Sequence, residues 1–275
     1  MMTDVPMAEE IIVIPDVHGR GFWKEAVAKY PNADTIFLGD YLDPYPDEDI
    51  DEDIDDEDAF NIFLEIVEFA RNHSNVTLLF GNHDLQYWFL YDWGHRMKDW
   101  EDDIFEVFRN NMDLFHMFAV RYINGKRWLF SHAPLFEEWI DYTKLPHGLD
   151  QINDKVWEML KEYNRNSTES WQTNRAAHDR VWKTLGRASK LRGGIDDCGS
   201  PVWADVREIA HGCNLYKDAD YYVFGHTQMN KPLITDKFAC LDTHQAYIIN
   251  ALGEIKAITS KTTPELPNKD NLYHS

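Results

Sequence analysis

The sequence predicts an α/β fold, and its first 84 residues carry the two observations behind this prediction. Three nearly continuous apolar runs, residues 11–14, 35–38 and 76–80, have the length and hydrophobicity of strands buried on both faces. Residues 22–30 and 59–72 lie between them, and the apolar residues of the second segment recur at helical spacing. The predicted order is β-α-β-α-β, and in such sheets ligands gather at the carboxyl ends of the strands.

The second half of the chain predicts further strands. Asn124-Gly125 is a strong hairpin signal between the strand-like residues 118–123 and 127–130. Residues 85–118 are rich in Trp, Phe and Met, and we predict helices whose aromatic side chains pack in the core. The remaining predicted strands are residues 221–224, 238–241, 246–250 and 254–258, of which the last three are expected to complete a second sheet.

Length and composition indicate one domain with a sizeable core. The 275 residues are normal for a single α/β sandwich domain over 1–275, and 44% of them are hydrophobic. Residues 137–213 are predicted to form a mostly helical insertion within this domain, which acts as a cap over the functional site.

Charge and cysteine content restrict the partners and the compartment. The net charge of −21, with no basic run, excludes nucleic acid as a partner. Residues 47–58 contain ten acidic residues but lack the glycine and the ligand spacing of a calcium loop, so a solvated segment is expected. Three widely spaced cysteines suggest no disulfide framework, and neither a signal peptide nor a membrane span is evident. We therefore expect a cytoplasmic protein with no membrane partner; its oligomeric state is left open.

Polar residues suited to chemistry follow five of the predicted strands. In chain order the motifs are Asp16-x-His18, Gly39-Asp40-x-x-Asp43, Gly81-Asn82-His83-Asp84, Ser131-His132-Ala133 and Gly225-His226-Thr227. Each motif alone is weak, whereas five of them in this order, each after a strand, are specific. The set resembles that of the calcineurin-like metallophosphoesterases, which include the serine/threonine phosphoprotein phosphatases, over residues 11 to about 250. This resemblance implies a four-layer α-β-β-α sandwich.

The residue types suit two divalent metal ions. Asp16 and His18, at alternate positions past a strand, can share one ion, and the two oxygens of Asp40 can bridge two ions. By resemblance, the first metal is held by Asp16, His18 and Asp40, and the second by Asp40, Asn82, His132 and His226. Mixed imidazole, amide and carboxylate ligation favours Mn, Fe, Zn or Co over Ca or Mg. The resemblance further implies that metal-bound hydroxide attacks the phosphate in line.

Proton delivery and phosphate binding need other residues. By resemblance, His83 is the general acid that protonates the leaving oxygen, and Asp43 orients its imidazole. The phosphoprotein phosphatases grip phosphate with the Arg of an Arg-Gly pair, where this chain has Pro44-Tyr45. We therefore expect Arg20 to bind the substrate phosphate, with Arg207 as the second candidate.

Other polar residues near the motifs receive more modest interpretations. Asp84 is interpreted as a structural hydrogen-bonding group. Gln228 stands where several members of the superfamily have the final His of a GHxH motif, which predicts weaker binding of the first metal. Histidines outside the motifs, including His244, are interpreted as ordinary.

The favoured function is hydrolysis of phosphate monoesters, with a small phosphorylated molecule or a phosphopeptide as substrate. A phosphodiesterase or a nucleotide pyrophosphohydrolase would use the same metals and differ in the openness of the site. A non-catalytic metal-binding scaffold is the alternative of another class. The complete ligand set argues against a scaffold, since scaffolds typically lose ligands.

Overall fold

The computed structural model describes residues 10–45, 54–89, 97–166 and 171–260. The chain divides into two compact units, the first comprising Met1–His132 and Asp218–Ser275 and the second Ala133–Lys217. The predicted insertion at 137–213 falls within the second unit, and its action as a cap over the functional site stays a prediction.

The first unit contains the predicted β-α-β-α-β order. Strands β1 (Glu10–Ile14), β2 (Asp34–Phe37) and β3 (Val76–Leu79) alternate with helices α1 (Phe22–Lys29) and α2 (Asp56–Asn72). The strands pair in parallel, β1 with β2 and β2 with β3. Their carboxyl ends therefore lie along one edge, and the predicted fold class is confirmed.

The acidic run 47–58 lies partly outside the described residues, which resume at residue 54. Its last residues begin α2: Asp55 is the N-cap, and its carboxylate accepts the amide N–H of Asp58 at 2.8 Å. Three further acidic residues occupy the first turn, where they interact favourably with the helix dipole. The end of the run thus has a helix-capping role that charge alone does not reveal.

Residues 85–118 are only partly helical. Helices α3 (Asn82–Phe89) and α4 (Glu101–Asn110) fit the prediction, but β4 (Phe115–His116) pairs in parallel with β3. Residues 90–96 lie outside the described ranges. Trp88 and Phe108 are fully buried, which confirms the predicted packing of aromatic side chains in the core.

The predicted hairpin is confirmed. Strands β5 (Phe118–Ile123) and β6 (Lys126–Ser131) pair antiparallel, with Ile123 opposite Lys126. Asn124 and Gly125 between them have φ of 49° and 73°, as a two-residue turn of this kind requires. In the second sheet β6 lies parallel to β7 (Tyr221–Phe224), and β7 lies parallel to β9 (Phe238–Cys240). A short strand, β8 (Leu233–Ile234), forms the edge beside β9.

The last two strands belong to the first sheet, so their expected place in the second sheet is wrong. β10 (Tyr247–Asn250) pairs antiparallel with β1, and β11 (Ile255–Ala257) pairs antiparallel with β10. The sequence pattern identifies a strand but not its partner. Tyr247 and Ile249 point into a core shared by both sheets, so the same alternation suits either sheet.

The two sheets of the first unit pack face to face. Their shared core joins Val13 and Leu38 of the first sheet region to Phe130 and Val223 of the second sheet. Phe37 faces the other way, because side chains alternate along a strand, and its ring contacts Trp23 of α1 at 5.8 Å. Helices therefore cover the outer face of the first sheet, as in the expected sandwich.

The second unit is mostly helical and contains a disulfide. Its helices are α5 (Glu137–Thr143), α6 (Leu149–Asn166), α7 (Trp171–Leu185) and α8 (Arg207–Ala210). Cys198 and Cys213 form a disulfide, which the spacing of the three cysteines did not suggest. The pair is separated by 15 residues, and spacing alone does not show that the fold brings their Cα atoms to 6.0 Å. The prediction of a cytoplasmic location loses this support and stays a prediction.

Within the described ranges, none of the helices combines the length and the apolar character needed to cross a bilayer.

Candidate active site

The six predicted metal ligands lie at the carboxyl ends of five strands in the first unit. Asp16 and His18 follow β1, Asp40 follows β2, and Asn82 follows β3, while His132 and His226 follow β6 and β7. All six are at least nine-tenths buried. Among the described residues, two groups could hold a metal ion, Asp16–His18–Asp40 and Asp40–His132–His226, with ligand atoms within 4.8 Å of one another in each group. Asp40 belongs to both.

The group around His132 brings three metal-ligating atoms together. Nδ1 of His132 lies 2.9 Å from the carbonyl oxygen of Leu38, to which an Nδ1–H donates; in a neutral ring this leaves Nε2 with its lone pair. This nitrogen lies 3.0 Å from Oδ1 of Asn82 and 3.1 Å from Nδ1 of His226. The contact with Asn82 joins two acceptors, which is the arrangement expected around a cation. A backbone carbonyl that fixes the tautomer is also typical of metal-ligating histidines.

The group around Asp16 is fixed in a similar way. Nδ1–H of His18 donates to the carbonyl oxygen of Leu42 at 2.8 Å, which turns Nε2 towards Asp40, 3.8 Å from Oδ2. Burial, then the neighbouring His83 and Arg20, lowers the pKa of His18 well below its usual value, so the ring is neutral and can ligate. The carboxylate of Asp16 accepts the backbone N–H of His226 at 3.0 and 3.1 Å. One hydrogen bond thus links the first and last motifs.

Two glycines make room for the carboxylates. A Cβ added to Gly225 would lie 2.2 Å from Oδ1 of Asp16, and one added to Gly81 would lie 2.1 Å from Oδ1 of Asp40. Each distance is far below a normal carbon–oxygen contact. The glycines of these motifs therefore allow close approach of the carboxylates to the backbone.

The charges in the site fit a bound cation. Burial first, and then the carboxylates of Asp16 and Asp84, raises the pKa of Asp40 well above its usual range. Divalent cations among these oxygens would offset that repulsion and restore the ionised form. Because buried carboxylates, neutral imidazoles and an amide oxygen converge here, the residues present fit a metal centre.

His83 is held between an acid and a phenol. Its Nδ1 lies 2.6 Å from Oδ2 of the fully buried Asp43, and its Nε2 lies 3.2 Å from the hydroxyl of Tyr45. The hydroxyl of Tyr87 donates to the other oxygen of Asp43. Burial, followed by the charge of Asp43, raises the pKa of Tyr87, so this phenol remains a donor. The predicted pair of His83 and Asp43 is thus in contact, and Tyr87 completes it.

Asp84 has the structural role predicted for it. Its carboxylate accepts the backbone N–H groups of Asp40 and Gly81 at 2.8 Å and that of Tyr41 at 3.0 Å. Burial raises the pKa of Asp84 to about 7, against the lowering effect of these three hydrogen bonds. The side chain ties the loop after β2 to the loop after β3, and so sets the position of the Asp40 backbone.

The two predicted phosphate-binding arginines are engaged with the protein. Arg20 is fully buried, and its Nη1 donates to the carbonyl oxygen of Val17 at 3.4 Å, so it does not point to solvent. Its charge contributes to the lowered pKa of His18, one of the predicted metal ligands. Arg207, in the second unit, makes two hydrogen bonds to Asp205, at 2.8 and 2.9 Å. Contact of either arginine with substrate stays a prediction.

His244, which the sequence analysis interprets as an ordinary histidine, contacts Gln228 of the last motif. It is buried, its Nε2 lies 3.2 Å from Nε2 of Gln228, and its charge acts on His18. A signal for this position was present, because His244 follows the strand predicted at 238–241 as the predicted metal ligands follow their strands. Tyr45 and Tyr87 carried no comparable signal, since neither completes a known motif.

Comparison with known proteins gives the family. The family model described as calcineurin-like phosphoesterase matches residues 10–230, which include every motif described above. The chain belongs to this family, and it is a metal-dependent phosphoesterase. No curated protein sequence matches it.

Solved structures show the same fold at low sequence identity. One is the cold-active protein-tyrosine phosphatase of the psychrophile Shewanella sp., 13% identical, with a TM-score of 0.56 over 94% of this chain and 83% of that one. A second structure of a cold-active protein tyrosine phosphatase is 14% identical, with a TM-score of 0.55 over 96% and 83% of the two chains. At such identities the likeness concerns the fold.

Proposed function

We propose that this phosphoesterase hydrolyses phosphate monoesters with two divalent metal ions. The observation that carries the proposal is the membership of Asp40 in both groups of candidate ligands. A carboxylate in that position suits a bridge between ions about 3.5–4 Å apart. When bound, the ions supply Lewis-acid catalysis, since they activate water and neutralise the charge of the phosphate. The mixed donor set favours Mn, Fe, Zn or Co.

In this proposal the ligands keep the roles given by the motifs. Asp16, His18 and Asp40 hold the first ion, and the second is held by Asp40, Asn82, His132 and His226. The backbone N–H groups of His83 and His226 donate to Asp40 and Asp16, at 2.9 and 3.0 Å, and fix the two carboxylates before any ligand binds. Such fixed donors lower the cost of organising a charged site.

His83 serves as the general acid of the proposed reaction. Asp43 accepts the Nδ1 proton of His83, so Nε2 is the nitrogen that faces a leaving group. As general acid, the ring gives its Nε2 proton to the leaving oxygen, and the contact of Asp43 with Nδ1 holds the ring in this orientation. Tyr87, which donates to Asp43, holds this carboxylate in place.

A substitution at Asp40 tests the metal requirement. Asp40→Asn keeps the shape of the side chain but removes the bridging charge, so most bound metal and all turnover should be lost while the protein stays folded. Metal content by mass spectrometry, p-nitrophenyl phosphate turnover and thermal melting measure these three properties. Asp236→Asn, at an exposed position, is the matched control. Asp40→Asn protein that retains both metal and turnover would refute the proposal.

A substrate panel tests the preference for monoesters. It comprises an alkyl phosphate, p-nitrophenyl phosphate, bis-p-nitrophenyl phosphate, a dinucleotide polyphosphate and a phosphotyrosine peptide. The peptide is included because the two similar solved structures are named as tyrosine phosphatases. We expect higher kcat/KM for the monoesters. A preference for the diester or the polyphosphate would replace the proposal by phosphodiester or anhydride hydrolysis, and metal binding without turnover would indicate a scaffold.

A further inference from the structure

Tyr45 lies at the active site without a role in the reaction described so far. Its ring meets the ring of His18 edge-on at 4.8 Å, and its hydroxyl is 3.2 Å from Nε2 of His83. Tyr45 is partly exposed, whereas Asp43, two residues earlier, is fully buried. Its phenol therefore lies nearer the solvent than the metal ligands do.

The contact with Nε2 of His83 matters because that nitrogen has to meet the substrate. Asp43 holds Nδ1 at 2.6 Å, so Nε2 is the ring nitrogen that can transfer a proton to a leaving oxygen. Without substrate, the Tyr45 hydroxyl lies where this oxygen must approach. A hydroxyl that is both donor and acceptor can bond either protonation state of Nε2. A leaving oxygen that takes the Nε2 proton would have to displace this contact.

We propose that Tyr45 is a substrate-binding residue whose hydroxyl moves from His83 to a phosphoryl oxygen of the bound monoester. The inference rests on the proposed function for the identity of the substrate. Its chemistry is hydrogen bonding alone: the phenol donates to a charged oxygen, and the released Nε2 of His83 faces the leaving group. The pair of distances to His18 and His83 supports this role, since Tyr45 reaches both the first-metal group and the proton donor.

Tyr45 is better placed than Arg20 for direct contact with phosphate. Arg20 is fully buried, while Tyr45 is partly exposed and already bonded to a catalytic atom. A neutral phenol orients the phosphate through a hydrogen bond but adds no positive charge. The metal ions and Arg20 would supply the positive charge that balances the phosphate. Tyr45 would therefore contact His83 in the free enzyme and phosphate in the complex.

Tyr45→Phe tests the inference, since it removes the hydroxyl and keeps the ring against His18. Hydrogen bonds to charged groups correspond to about 10- to 150-fold in an equilibrium constant. We expect a rise of about that size in the Kd of inorganic phosphate, measured by calorimetry on the metal-loaded full chain. KM for p-nitrophenyl phosphate should rise in parallel. Tyr122→Phe, on the exposed face of β5, is the matched control and should leave both values unchanged.

Two results would overturn the inference. A phosphate Kd within about twofold of wild type would show that the hydroxyl does not touch phosphate, and a higher kcat/KM would show that it blocks His83. Metal content and melting temperature, measured on the same samples, verify that the variant is folded and loaded. Failure of the proposed function can be distinguished from failure of this inference. In the first case wild-type protein would hydrolyse none of the monoesters, and the phosphate titration would still decide the role of Tyr45.

Discussion

Gly225→Ala is the substitution whose effect follows most directly from the geometry. The new Cβ would lie 2.2 Å from Oδ1 of Asp16, while carbon–oxygen contacts run at about 3.3–3.6 Å, so the carboxylate has to retreat by about 1 Å. The next nearest atoms, Cγ of Asp16 at 3.4 Å and Cβ of Pro15 at 3.7 Å, are at ordinary distances. The φ of Gly225 is not positive, so alanine can adopt the same backbone conformation. The clash is therefore confined to one oxygen of a predicted metal ligand.

Displacement by about 1 Å at a catalytic site costs on the order of 10²-fold in rate. We expect Gly225→Ala to lower kcat/KM for p-nitrophenyl phosphate by about that factor and to weaken binding of one of the two proposed metal ions. Metal titration and steady-state kinetics measure the two effects. Gly21→Ala is the control, because it has a φ of −89° and no atom within 4 Å of the added Cβ. Wild-type metal affinity and kcat/KM in Gly225→Ala would refute the placement of Asp16 at the metal.

Three further predictions concern the residues around the metals. His83→Asn should lower kcat by roughly 10²–10⁴-fold for an alkyl phosphate and much less for p-nitrophenyl phosphate, whose leaving group scarcely needs a proton; equal losses would give His83 another role. Arg20→Ala and Arg20→Lys should lower kcat/KM by about 10- to 150-fold with metal content unchanged, if the guanidinium binds phosphate. A lower melting temperature with unchanged kinetics would make Arg20 structural. His244→Ala should weaken metal binding by about 10- to 100-fold in a titration, because it removes a neighbour of Gln228; unchanged affinity would separate His244 from the metals.

The strands and the ligand positions were predictable because they depend on local pattern. Buried parallel strands are short apolar runs, and a polar residue just after such a run lies at the carboxyl edge of the sheet. Asp16, Asp40 and Asn82 obey this rule after β1, β2 and β3. Their assignment as metal ligands stays a prediction, although the structure brings all of them to one edge.

Long-range pairing was not predictable from the same pattern. β10 joins β1 across more than two hundred residues, and Cys198 meets Cys213 in a loop region without a recognisable spacing. In each case the chain segment has the right composition for its element, but the partner is chosen by the packing of the whole fold. The error over the second sheet and the error over the disulfide have this common origin.

The contacts that orient the predicted ligands could not be predicted from the sequence because they depend on an unusual backbone conformation. The residues His18, Asp40, Asp43, His226 and His244 all have positive φ, between 46° and 62°. Glycine at such positions would indicate a left-handed turn in the sequence, whereas histidine and aspartate give no such indication. The surrounding hydrogen bonds keep this costly conformation: the backbone N–H of His18 donates to the carbonyl oxygen of Asp40 at 2.8 Å, and Asp84 accepts the N–H of Asp40. Side chains at these five positions therefore leave the backbone in directions that regular strand geometry would not give them.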